Sequence, residues 1–182
     1  MTLGSYPLGT VPLGGELDLR FAFDLLPQEQ EPPIIDVAHW VDEALIRRFA
    51  ANPEQLKVMN RRLFEELIAE LFAGFGYEVE LTKRTRDGGK DVVAVRHEEV
   101  NVRYLIQCKR PDPGNPVGVA AVRELLGVKT SERATKGILA TTAHFTLDAQ
   151  ILFQQHQWEL DPRDFDAIKE WIDRYLKRAI TG

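Results

Sequence analysis

The sequence predicts an α/β fold in which a mixed sheet is covered by helices on both faces. Three observations lead there. "YEVELT" (77–82), "DVVAV" (91–95) and "VRYLIQCK" (102–109) each alternate as half-buried strands do, and the links between them are hairpin-length. "GILATT" (137–142), a short apolar run ending in threonines, reads as a buried strand. Helical stripes recur around these segments, so the order is helix, three strands, helix, strand, helix, helix.

Taken in order, residues 1–34 are rich in Pro and Gly, with "YPLGTVPLGG" forming an imperfect repeat and "EQEPPIID" a linker. "ELDLRFAFDLL" alternates enough for one strand and is too apolar to float freely, which favours a docking arm. Residues 36–50 read as a helix, with Val37, Trp40, Val41, Leu45 and Phe49 near one stripe. Asn52 is a credible N-cap with Pro53 at the first helical position. In the helix "RRLFEELIAELFAGF" (61–75), Phe64, Leu67, Ile68, Leu71 and Phe75 form the core face. Glu65 lies at the edge of that face, whereas Glu66 and Glu70 point away and read as solvated. Pro111–Gly118 break the chain, "VAAVRELLGVKTSE" and "FTLDAQILFQQHQ" are helical, and Asp161–Pro162 open a last helix. The division expected is an N-terminal arm and helix over 1–50, for docking or oligomerisation, followed by one domain over 51–182.

Composition narrows the class. A chain of 182 residues suits one domain with an appendage, and 44% hydrophobic with 28% charged content is ordinary for a soluble protein. No apolar run approaches the roughly 18–20 residues of a membrane span, and no signal-peptide pattern opens the chain. One cysteine, Cys108, rules out an intramolecular disulfide and fits a reducing cytoplasm. The net charge of −5 argues against a generally sticky nucleic-acid binder, but residues 1–60 hold the whole deficit, with 4 basic and 9 acidic side chains. Residues 79–110 carry 8 basic against 5 acidic, a balance that suits either a polyanion or a solvated surface.

The hairpin "RDGGKDVVAVRHEEVNVRYLIQCKR" (86–110) has polar residues where Val, Ile or Leu would usually stand. With a turn near 96–100, antiparallel pairing sets Asp91 about opposite Gln107, and Lys109 follows on the same face. A carboxylate and an amide oxygen are hard ligands suited to Mg²⁺, and a neighbouring ammonium can position an attacking water or offset phosphate charge. A structural Asp91–Lys109 ion pair explains the same spacing. On the preceding helix only Glu65 is angled to reach such a site; otherwise it is a boundary glutamate.

The chain resembles the Mrr-like restriction endonucleases, a branch of the PD-(D/E)xK nuclease superfamily, through five ordered motifs. These are "FEELIAELFAGFGYEVELT", "DGGKDVVA", "LIQCKR", "VGVAAVRELLGV" and "ATKGILATTAHFT", covering about residues 58–156. The resemblance implies a restriction-endonuclease-like αβββαβ core, with the N-terminal arm and helix and the C-terminal helix as extras. It implies that Asp91 binds the metal, Lys109 is the catalytic lysine and Glu65 the glutamate of the first core helix. Gln107 takes the place of a Glu or Asp in the wider superfamily, an exchange common in the Mrr branch, and removes one negative charge. The Cys108 main-chain carbonyl is a further implied ligand. The implied reaction is hydrolysis of DNA phosphodiesters with Mg²⁺ (or Mn²⁺), in restriction or defence against foreign DNA. Lys83, Arg84, Arg86, Lys90 and Arg110 are candidates for phosphate contacts.

Thr141 and Thr142 either line the site or cap the next helix. His97 and His144 read as surface residues, His39 and His156 as helical residues without partners, and Trp158 and Trp171 as packing residues. No histidine pair or CxxC supports zinc. The first 50 residues are acidic and short for a DNA reader, so targeting would come from a dimer or a partner protein, or the cut has little sequence preference. A silent nuclease fold that binds DNA or protein, and a junction-resolvase-like nuclease, are the alternatives.

Overall fold

Alternation and apolar runs produce five strands, and the spacing of aliphatic residues between them produces six helices, among the residues that the computed structural model describes, 41–82 and 90–181. The helices are α1 (Glu43–Ala51), α2 (Gln55–Val58), α3 (Arg61–Gly74), α4 (Val119–Ser131), α5 (Leu147–Gln155) and α6 (Phe165–Thr181). The strands are β1 (Glu78–Leu81), β2 (Val92–Arg96), β3 (Val102–Lys109), β4 (Lys136–Thr141) and β5 (Leu160–Arg163). They form one sheet in the order β1-β2-β3-β4-β5, antiparallel from β1 to β3 and parallel from β3 to β5. The described residues fall within one unit, Ile35–Gly182.

The period of two sorts the strand residues between two layers. Val92, Ala94, Ile106, Ile138 and Ala140 pack against Phe64, Ile68 and Phe72 of α3 and Ile168 and Ile172 of α6. Leu139 faces the other side, where it meets Val122 and Leu125 of α4 and Phe153 of α5, with Val93 and Leu105 on that side beside Ala134 and Val128. Gly137 lets the α4 layer come close, because a Cβ there would lie 3.0 Å from both Leu125 Cγ and Leu160 Cδ2. Helix starts are fixed by side-chain caps that take up otherwise unpaired N–H groups. Asp42 accepts from Leu45 N–H at 2.7 Å, Asn60 from Leu63 N–H at 2.7 Å, and Thr146 from Ala149 N–H at 3.3 Å.

Several expectations are corrected. Asn52 ends α1, its N–H reaching Arg48 O at 3.0 Å, and does not begin the next helix. Asp161–Pro162 lie in β5, and α6 starts only after Asp164, whose Oδ1 accepts from Ala167 N–H at 3.1 Å. β5 is an edge strand, the one place in a sheet where proline's missing N–H is tolerated. Trp158 is 84% exposed, whereas Trp171 is buried as expected. Glu70, read as solvated, is 4% exposed because α6 covers it and Tyr175 Oη–H donates to it at 2.9 Å. His156 has a partner, Glu159, at 2.9 Å. α1 packs on α6 and contributes Ile46 and Phe49 to the core.

Candidate active site

The hairpin register decides which polar groups meet. Val92 pairs with Ile106, so Asp91, one residue before β2, stands opposite Gln107, and its N–H donates to Ile106 O at 2.9 Å. Asp91 Oδ2 accepts from Cys108 N–H at 2.7 Å, which anchors the carboxylate to β3. Lys109, at the end of β3, reaches Glu124 of α4, with Nζ 3.3 Å from Oε2. Glu65 comes from the second turn of α3, where Arg62 Nη1 donates to its Oε2 at 3.1 Å. Arg62 also donates to Glu66 and to Thr82 O, both at 3.2 Å, so this arginine ties the start of α3 to the end of β1.

These groups line one open cleft of about 440 Å³, where Glu65, Asp91, Gln107, Lys109 and Arg110 are joined by Arg61 and Glu124. Burial raises the Asp91 carboxyl above its ordinary value, outweighing the Cys108 N–H and the Lys109 charge, which act downward. Glu124 adds to the rise and Arg62 opposes it. Burial also pushes the Cys108 thiol well up, with the Asp91 and Glu65 carboxylates adding to the effect, so its sulfur is a poor nucleophile. Gln107 is 1% exposed, and its Oε1 has no hydrogen-bond partner among the described residues. Leaving such an acceptor unpaired costs about 1–3 kcal/mol. An unpaired amide oxygen beside a carboxylate is a donor set that fits a hard divalent cation such as Mg²⁺.

The cleft thus gathers Glu65, Asp91, Gln107, Cys108, Lys109 and Arg110. Of the other expected contacts, Lys90, Thr141 and Thr142 do not line this cleft. Lys90 is ion-paired with Glu132, which also holds Arg103 at 3.0 Å. Thr141 and Thr142 are 0% and 3% exposed, and the Thr141 hydroxyl accepts from Ala143 N–H at 3.2 Å. Lys83, Arg84 and Arg86 lie outside the described residues. Arg110 donates through Nη1 to Lys57 O at 3.2 Å, while its buried Nε has no partner among the described residues. Glu124 and Arg61 were missed in the sequence. Glu124 sits between core positions Val122 and Leu125, and nothing local marks it for Lys109, which is fifteen residues away. His144, Asp164 and Asp166 cluster elsewhere, but Asp166 pairs with Lys169 at 2.9 Å and Asp164 caps α6.

A family model described as restriction endonuclease, Mrr_cat, matches residues 56–172. The chain belongs to that family. A curated relative, the uncharacterized protein y4cE of Sinorhizobium fredii, is 34% identical over 112 residues, which are 60% of this chain. The match spans 28% of that relative's length. Among solved structures, the restriction endonuclease FokI aligns over 75% of this chain and 27% of its own, with a TM-score of 0.50 and 13% identity. The DNA modification-dependent restriction endonuclease AspBHI aligns over 77% of this chain and 39% of its own, with a TM-score of 0.49 and 19% identity. For the Mrr-type chain, the fold is that of the restriction endonucleases: a mixed five-stranded sheet with flanking helices. Among the described residues, no helix is long and apolar enough to cross a membrane.

Proposed function

We propose that this chain is a DNA endonuclease that hydrolyses phosphodiester bonds with the help of Mg²⁺, or Mn²⁺ in its place. The observation that carries the reading is the unpaired Oε1 of Gln107, buried beside Asp91 at the floor of a cleft that Lys109 also lines. Asp91, Gln107 and Glu65, with the Cys108 main-chain carbonyl, would hold the ion, which supplies Lewis acidity toward a phosphate oxygen when bound. Asp91 is pre-set for this by the Cys108 N–H, which fixes one carboxylate oxygen at the wall of the cleft. The Lys109 ammonium orients the attacking water and offsets charge on the phosphate. Arg110, which also lines the cleft, contributes a backbone phosphate contact, and the salt dependence of binding follows from such contacts.

Residues 51–182 form the catalytic domain in this reading, with α1 as an added layer. Family membership supports a role in restriction or defence against foreign DNA, in the cytoplasm, with a second copy or a partner protein supplying the target. The test is cleavage of supercoiled, linear, single-stranded and branched DNA with Mg²⁺, Mn²⁺ or EDTA. The wild type should cut only with metal, and Asp91→Ala or Lys109→Ala should lower the rate on the order of 10³-fold or more. Wild-type protein that binds DNA yet never cuts with either metal would sink the reading.

A further inference from the structure

The metal site as read above is short of one charge, and the fold offers a replacement from a different element. Gln107 is neutral, fully inside the wall of the cleft, and its amide oxygen is unmatched. Glu124 projects from α4 into the same cleft, from the same side of the sheet as Gln107 and Lys109. Its Oε2 lies 3.3 Å from Lys109 Nζ, and no bond to its other oxygen is present among the described residues. The cleft lining holds three carboxylates, Glu65, Asp91 and Glu124, facing Arg61, Lys109 and Arg110. Without Glu124 the cations outnumber the carboxylates, an arrangement that repels a divalent ion. Helix α4 is held over this end of the sheet by Val122 and Leu125 on either side of the residue, so the carboxylate is presented by a rigid element rather than a loop.

We propose that Glu124 is the second carboxylate of the metal site, supplying from α4 the negative charge that Gln107 does not supply from β3. The inference rests on the reading of the cleft as a metal site. It assigns Glu124 a task beyond its ion pair with Lys109, either as a direct ligand or through one bound water. Lys109 then shares a carboxylate with the ion site, which keeps its ammonium at the rim where the phosphate would lie. Side-chain half-exposure of Glu124, 47%, leaves it room to turn between the lysine and the ion.

The experiment is titration of Mn²⁺ into the full chain, alone and with duplex DNA, followed by electron paramagnetic resonance of the free ion. Circular dichroism and thermal unfolding without metal accompany each variant. Asp91→Ala should abolish binding. Glu124→Gln should weaken it about tenfold or more, the size of effect expected for a residue that tunes a metal site. Adding Gln107→Glu to Glu124→Gln should bring affinity back to within about threefold of wild type, because charge count at the ligands sets affinity. The cost of Glu124→Gln should persist in a Lys109→Met background; if it vanishes there, Glu124 serves only the lysine and the proposal falls. It falls too if Glu124→Gln binds Mn²⁺ as wild type does while Asp91→Ala does not bind, and in that case the metal-site reading stands. No Mn²⁺ binding by the wild type, with or without DNA, overturns both.

Discussion

Helix α3 carries two shielded glutamates, one at each end of its core face, that do different things. Glu70 is almost fully buried, and it accepts from the phenol of Tyr175 on α6. The contact joins two helices, and next to it Gly74 leaves space for the same ring, since a Cβ there would lie 2.2 Å from Tyr175. Glu65 has a side chain only 16% exposed, but what it faces is an open cleft with Arg62 beside it. Burial alone therefore does not separate an acid that joins two helices from one proposed to hold a metal ion. The separation comes from what covers the group: another helix in one case, and a space that a ligand can enter in the other.

That contrast can be tested from both ends. The largest effect expected is on Glu65→Gln, which should lower metal-dependent cleavage by about 10- to 100-fold, with little change in the urea midpoint. Unchanged cleavage with a large stability loss would make Glu65 a second Glu70. Tyr175→Phe should do the reverse, leaving cleavage as in wild type while costing about 1–3 kcal/mol in urea unfolding, because one hydrogen bond to a buried carboxylate is lost. The smallest effect is in alkaline solution. Burial and Glu70 push the Tyr175 phenol from its ordinary value of 10.0 up to about 12. A raised value in the folded state means that the protonated phenol stabilises the fold, fully below pH 10 and progressively less as pH rises toward 12. Stability measured across that window should fall more steeply in wild type than in Tyr175→Phe; equal slopes would remove the phenol from the account.

The parts of this molecule that local periodicity controls were legible in the sequence. A period of two gave the pairing of Asp91 with Gln107, because the observed register, Val92 with Ile106, continues by one residue to that pair. The helical period put Phe64, Leu67, Ile68, Leu71 and Phe75 on one face, and all five are buried. What escaped depended on distant chain. Glu70 looked solvated because α3 alone does not reveal that α6 lies across it. Pro162 looked like a helix start because its use in an edge strand depends on β4 lying alongside. Glu124 had no local mark, since its partner comes from a strand and the contact depends on how α4 crosses the sheet. The partner of Lys90, Glu132, is likewise forty-two residues on, so the pair has no local signal in the sequence.

The glycine in β4 has a reach beyond its own strand. Gly137 sets the clearance between the sheet and Leu125, and Leu125 is the residue after Glu124. A methyl group at that point would press on the Leu125 and Leu160 side chains, which would have to give by a few tenths of an ångström. A position with no side chain and no charge thereby sets the room for the packing residue that follows Glu124 in the chain.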